Sequence, residues 1–189
     1  PPEVEVILAV DLSGSMSGDP IAKAQEAMKE FVSQMDAEFT KIGVLAFADR
    51  TKMLVRPTKD YKQVVRGIDK IEVGDVGYCN GAEPFTDANK ELQVGRFDKN
   101  KNRIRYLIVL TDGVWDNPRN AVRQAKICHR EGIEVMALGF GGADYKFLKE
   151  IASTDEFASL TNLAELAGSF SKIAQAIGES TPGSGIKML

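Results

Sequence analysis

The chain of 189 residues holds one histidine, two cysteines and one tryptophan. So little His and Cys removes zinc sites of the usual kind, disulfide frameworks and most imidazole-based catalysis. Positive charge is not in excess either. Lys and Arg total 24 against 27 Asp and Glu, for a net charge of −3, which excludes a broadly basic nucleic-acid binder. The basic stretch at residues 96–105 has only Phe97 interleaved, too little for base stacking, and reads as a solvated loop. No apolar run reaches the ~18 residues of a membrane-spanning helix, and no basic-then-apolar leader is present. Neither a Gly-x-Gly-x-x-Gly pattern nor a Walker phosphate loop occurs. Gly139-Phe140-Gly141-Gly142 reads as a tight turn. Cys79 and Cys128 are far apart in sequence, which fits reduced thiols and a cytoplasmic setting, with one disulfide as the alternative.

What is present is alternation. The apolar fraction is 43%, and apolar runs trade places with amphipathic stretches throughout. Residues 4–10, 42–48, 51–55, 104–110, 133–138 and 157–160 read as strands. The run at 6–10 is continuous, as suits a strand covered on both faces, and 104–110 reads as the next strongest buried strand. Helical spacing marks residues 21–35, 61–71, 86–94, 118–130, 145–152 and 163–177. Asp19-Pro20, Asn117 and Asn162 are expected to open three of these helices. Asp49-Arg50 makes a hairpin of the second and third strands. The fold expected is α/β: a three-layer, Rossmann-like open sheet, mostly parallel with one antiparallel edge strand, and helices on both faces. Residues 1–178 form one domain, and 179–189 form a tail or linker. Pro1 at the start, in place of Met, suggests a processed or excised piece.

In such a sheet, ligands bind beyond the carboxyl ends of the strands. The first strand delivers Asp11-Leu12-Ser13-Gly14-Ser15, the fourth delivers Thr111-Asp112-Gly113, and the long loop at residues 73–85 ends in Phe85-Thr86-Asp87. Asp11, Ser13, Ser15, Thr86 and Asp112 form an all-oxygen set. Such a set favours Mg²⁺, with Mn²⁺ or Ca²⁺ as alternatives, over zinc. Spacing at 11, 13 and 15 lets a tight loop turn three side chains into one hollow, and Gly14 permits the turn. Ser17, Asp19 and Asp87 read as caps or supporting groups, and Asp49 as a loop acid. His129 reads as structural. Trp115, Phe85, Glu83 and Asp116 are expected at the rim, where a partner would touch them.

Asp-Leu-Ser-Gly-Ser-Met, a later Thr-Asp and then Leu-Thr-Asp-Gly resemble a von Willebrand factor A domain, over residues 4–177. The resemblance implies a metal-ion-dependent adhesion site. Ser13 and Ser15 would bind the ion directly, Thr86 when a ligand is engaged, and Asp11 and Asp112 largely through water. An Asp or Glu of a protein partner would complete the octahedron, and the last helix would shift with binding. Residues 16–21 are more like intracellular bacterial members, which serve in multi-protein assemblies. The family usually places Gly-Gly just before the metal-binding Thr; here Ala82-Glu83-Pro84-Phe85 intervenes after Gly81. Glu83 could then stand in internally for the partner's carboxylate. The competing reading is a Mg²⁺-dependent phosphoryl hydrolase using Asp11. It lacks the second Asp expected two positions on, where this chain has Ser13, so binding is favoured over catalysis. Neither a nucleic-acid nor a membrane partner is expected.

Overall fold

The computed structural model describes residues 3–93 and 103–180. Most of the basic stretch at 96–105 and of the tail at 179–189 lies outside the described residues, as does the end of the helix expected at 86–94. Six strands form one sheet: β1 (Glu3–Asp11), β2 (Thr40–Phe47), β3 (Thr51–Thr58), β4 (Arg103–Thr111), β5 (Ile133–Gly139) and β6 (Ala158–Leu160). Their spatial order is β3-β2-β1-β4-β5-β6. All neighbouring pairs are parallel except β2 with β3, the hairpin that the short Asp49-Arg50 connection predicts and the antiparallel edge that the resemblance implies.

The helices are α1 (Asp19–Gln34), α2 (Tyr61–Asp69), α3 (Phe85–Leu92), α4 (Pro118–Arg130), α5 (Tyr145–Ile151) and α6 (Leu166–Ser180). Side chains alternate between faces along a strand, and β1 shows this directly. Val4, Val6, Leu8 and Val10 enter one core with Met28 and Phe31 of α1 and Phe170 and Ile177 of α6. Phe31 and Phe170 meet edge to face at 6.0 Å. Ile7 and Ala9 enter the opposite core with Phe85, Ala125 and Leu148 from α3, α4 and α5. Even Glu5, at the far end of β1, is buried, and it is held by Arg103.

Two expected caps hold and one moves. Asn117 accepts from the Asn120 amide at 3.1 Å and opens α4. Asn162 accepts from the Glu165 amide at 3.0 Å, closing a 3₁₀ turn that leads into α6. Asp19 is not the cap of α1. Gly18 is, at φ +82°, a left-handed conformation open to glycine at little cost, and Asp19 and Pro20 become the first turn.

Candidate functional site

β1 and β4 are neighbours, and the chain departs from them in opposite directions across the sheet. A crevice therefore opens between their carboxyl ends, which is where ligands sit in doubly wound sheets. Asp11, the last residue of β1, is wholly buried there. One carboxylate oxygen accepts from the Ser13 amide at 2.8 Å, and the other from the Thr111 hydroxyl at 2.7 Å. A 3₁₀ turn at Gly14–Met16 follows, and it brings the Ser13 and Ser15 hydroxyls within hydrogen-bond reach at 3.3 Å. Ser13 is buried and Ser15 exposed, so the pair forms a ladder from the crevice floor to solvent.

Asp112 follows directly on β4. Its Oδ1 is buried and has no hydrogen-bond partner. Gly141 and Gly142 lie beside its backbone: a Cβ at either would be in ordinary contact, 3.5 Å from the Asp112 carbonyl oxygen. The turn read as Gly139-Phe140-Gly141-Gly142 is thus a wall of the crevice. Burial pushes the Asp11 carboxyl above its ordinary range; the bonds from Ser13 and Thr111 oppose this, and the charge of Asp112 adds to it.

A buried carboxylate beside a half-buried one that repels it, an orphaned carboxylate oxygen and two adjacent hydroxyls are the chemistry a hard divalent cation satisfies. Asp11, Ser13, Ser15 and Asp112 fit such an ion. With only two carboxylates at the crevice, no trio of His, Cys, Asp and Glu capable of holding a metal occurs among the described residues.

Thr86 is placed differently. Its hydroxyl donates to Glu83 Oε1 at 2.5 Å and lies 3.4 Å from Gln124 Oε1 of α4. The second Glu83 oxygen accepts from the amides of Phe85 and Thr86, at 2.6 and 3.1 Å. Glu83 therefore caps the first turn of α3, with both its oxygens hydrogen-bonded there. Burial raises its carboxyl pKa, with those three bonds opposing.

Two of the residues expected at the rim belong to the core. Trp115 is 3% exposed and Phe85 is fully buried. The Trp115 ring packs edge to face on Phe47 and Phe147, both at 5.1 Å, and tilts against Phe85 at 5.9 Å. Its indole N–H donates to the Thr111 hydroxyl at 3.0 Å. Aromatic area outweighs what an exposed indole could gain, and the one polar atom of the ring finds a partner inside. Asp116 is exposed. His129 bonds the Ile151 carbonyl at 3.0 Å, as a structural histidine, and both cysteines are free thiols.

Sequence reasoning passed over Thr111 and undervalued Asp49. Thr111 links Asp11 to Trp115, and the signal for it was its place between the strand and Asp112. Asp49 accepts from the amides of Tyr78 and Cys79, at 3.1 and 3.4 Å, and so holds the loop before α3 over the crevice. Nothing in its local sequence announces that.

A family model described as von Willebrand factor type A domain matches residues 5–174. Among curated proteins, the chain is 26% identical over 206 residues to a UPF0353 protein of Mycobacterium sp. (strain KMS), covering 93% of this chain and 61% of the relative. The chain thus spans about three fifths of the length of the curated relatives it matches. Among solved structures, the vWF domain of the type V pili tip protein Mfa5 from Porphyromonas gingivalis superposes with a TM-score of 0.79 at 13% identity, covering 98% of both chains. Proximal thread matrix protein 1 from the mussel byssus, solved with a zinc-occupied MIDAS motif, superposes at 0.70 with 20% identity, over 93% of this chain and 46% of that one. With sheet order, the crevice between β1 and β4 and a match across nearly the whole length in agreement, the chain belongs to the von Willebrand factor type A domain family, whose domains are commonly protein-interaction modules.

Proposed function

We propose that this domain captures a protein partner through a divalent cation held by Asp11, Ser13, Ser15 and Asp112, with a carboxylate of the partner completing the coordination. The observation that carries this reading is the buried Asp112 Oδ1 without a partner, on a residue whose charge repels that of the buried Asp11, beside the hydroxyls of Ser13 and Ser15. A hard cation removes the repulsion and the orphaned acceptor together. When bound, the ion supplies Lewis acidity toward an external oxygen. Thr111 and the Ser13 amide fix the Asp11 carboxylate, and Ser15 reaches from the floor to solvent.

Capture is favoured over turnover because Ser13 stands two positions after Asp11, where a phosphoryl hydrolase built on that Asp carries a second one. Mg²⁺ is the expected ion, with Mn²⁺ close behind, on the hardness of the donor set. The partner would offer an Asp or Glu at the tip of a protruding loop, within a larger chain or a multi-protein assembly.

The test is calorimetric titration of chelator-treated protein with Mg²⁺, Mn²⁺ and Ca²⁺. Saturable binding at one site, abolished in Asp11→Ala, supports the reading. A wild-type protein that binds none of the three ions refutes it.

A further inference from the structure

Resting on the metal-site reading, we infer that the third loop of the site is the strap at residues 77–82, and that Asn80, in place of Thr86, is the oxygen ligand this loop supplies. The strap crosses the crevice under four separate restraints. The Gly14 amide, inside the serine turn, donates to the Tyr78 carbonyl at 2.8 Å. The Asp116 amide, beyond β4, donates to the Asn80 carbonyl at 3.0 Å. The Ala82 amide donates to the Ala48 carbonyl at 2.8 Å, at the end of β2. The Asp49 carboxylate grips the amides of Tyr78 and Cys79. Gly77 makes that grip possible: it sits at φ +91°, and a Cβ there would lie 2.2 Å from Asp49 Oδ2. The strap is therefore stitched to the loops after β1, β2 and β4 at once, and the first and last of these loops carry Ser13, Ser15 and Asp112.

Elimination then selects the ligand. Between Tyr78 and Ala82, only Tyr78 and Asn80 carry a side-chain oxygen. The Tyr78 hydroxyl is turned back over Gly74, where a Cβ would meet it at 2.7 Å, and the residue is 65% exposed. Asn80 is half-buried, and its side-chain amide makes no hydrogen bond among the described residues. Its own carbonyl is already spent on Asp116, which leaves the side-chain oxygen as the donor the strap can offer. An amide oxygen is a hard, neutral ligand suited to the same ions as a threonine hydroxyl. Thr86, by contrast, is closed off in the α3 cap with Glu83.

The experiment titrates the full 189-residue chain, after chelator treatment, with Mn²⁺ alone and Mg²⁺ alone by calorimetry. The variants are Asp11→Ala, Asn80→Ala, Asn80→Asp and Thr86→Ala, and thermal melts in chelator establish that each is folded. Asn80→Ala should weaken binding at least about tenfold. Asn80→Asp, which adds charge to the same position, should bind more tightly than wild type, and this arm decides the matter if the alanine variant is unstable. Thr86→Ala should bind as wild type does. Weakening by Thr86→Ala with none by Asn80→Ala overturns the inference. So does wild-type affinity in both asparagine variants when Asp11→Ala abolishes binding, an outcome that leaves the metal site itself standing. No metal binding by the wild type overturns both.

Discussion

Two clusters in this molecule are built from the same parts and reach opposite ends. At the carboxyl ends of β1 and β4, the Asp11 carboxylate meets the Thr111 hydroxyl and the Ser13 amide, the Ser13 and Ser15 hydroxyls reach each other, and Asp112 follows β4. At the start of α3, the carboxylate of Glu83 meets the hydroxyl of Thr86. In both, burial drives a carboxyl pKa upward. The helix cluster is closed, since both Glu83 oxygens are satisfied by the amides and hydroxyl of the first turn. The strand-end cluster leaves Asp112 Oδ1 buried and unbonded. Oxygen donors make a candidate site only where the fold prevents them from satisfying one another.

The largest expected effect tests whether the strand-end cluster depends on the aromatic core beneath it. Trp115→Ala removes a ring held by Phe47, Phe85 and Phe147 and should cost about 3–5 kcal/mol in denaturant unfolding. Trp115→Phe keeps most of the packing but drops the bond to Thr111. It should cost about 1 kcal/mol and weaken metal binding, whereas unchanged metal affinity would separate Thr111 from the site. Next, Asp11→Ala should lower metal affinity by at least about 100-fold, roughly 2.7 kcal/mol, read by calorimetry and by loss of the metal-induced rise in Tm.

The helix cluster should respond in the other currency. Glu83→Ala strips the α3 cap and should destabilise the protein by about 1 kcal/mol while metal affinity stays as in wild type. A fall in affinity would give Glu83 back its place near the ion. The smallest effect is in pH dependence. The folded pKa of Glu83 is raised above 4.5 by burial, so the folded state holds this proton more tightly than the unfolded chain. Its contribution to stability is complete below 4.5 and is lost as pH rises through the raised value. Glu83→Gln, measured by urea unfolding in chelator, should flatten that part of the profile. An unchanged slope would place the titration elsewhere.

The fold was largely legible because its causes are local and periodic. The runs at 6–10 and 104–110 read as buried strands, and the antiparallel pair followed from the short Asp49-Arg50 connection. The Asp11, Ser13 and Ser15 spacing was equally readable, since all three ride one turn. Thr86 was ambiguous in sequence because its place in the first turn of α3 suits a capping partner as well as a ligand. Trp115 misled because a tryptophan three residues past Asp112 fits a rim or a core equally well in one dimension.

The sequence by itself determined the alternation of strands and helices, the donor chemistry and the turn that gathers Asp11, Ser13 and Ser15, because each depends on residues a few positions apart. Tertiary structure alone decided which carboxylate oxygen is left unpaired, that Trp115 supports Thr111 from below, and that Asp49 draws the 77–82 strap across the crevice. Those outcomes depend on groups up to 100 positions apart, as Asp11 and Thr111 are. Whether a polar atom is satisfied depends on every neighbour that packing brings to it.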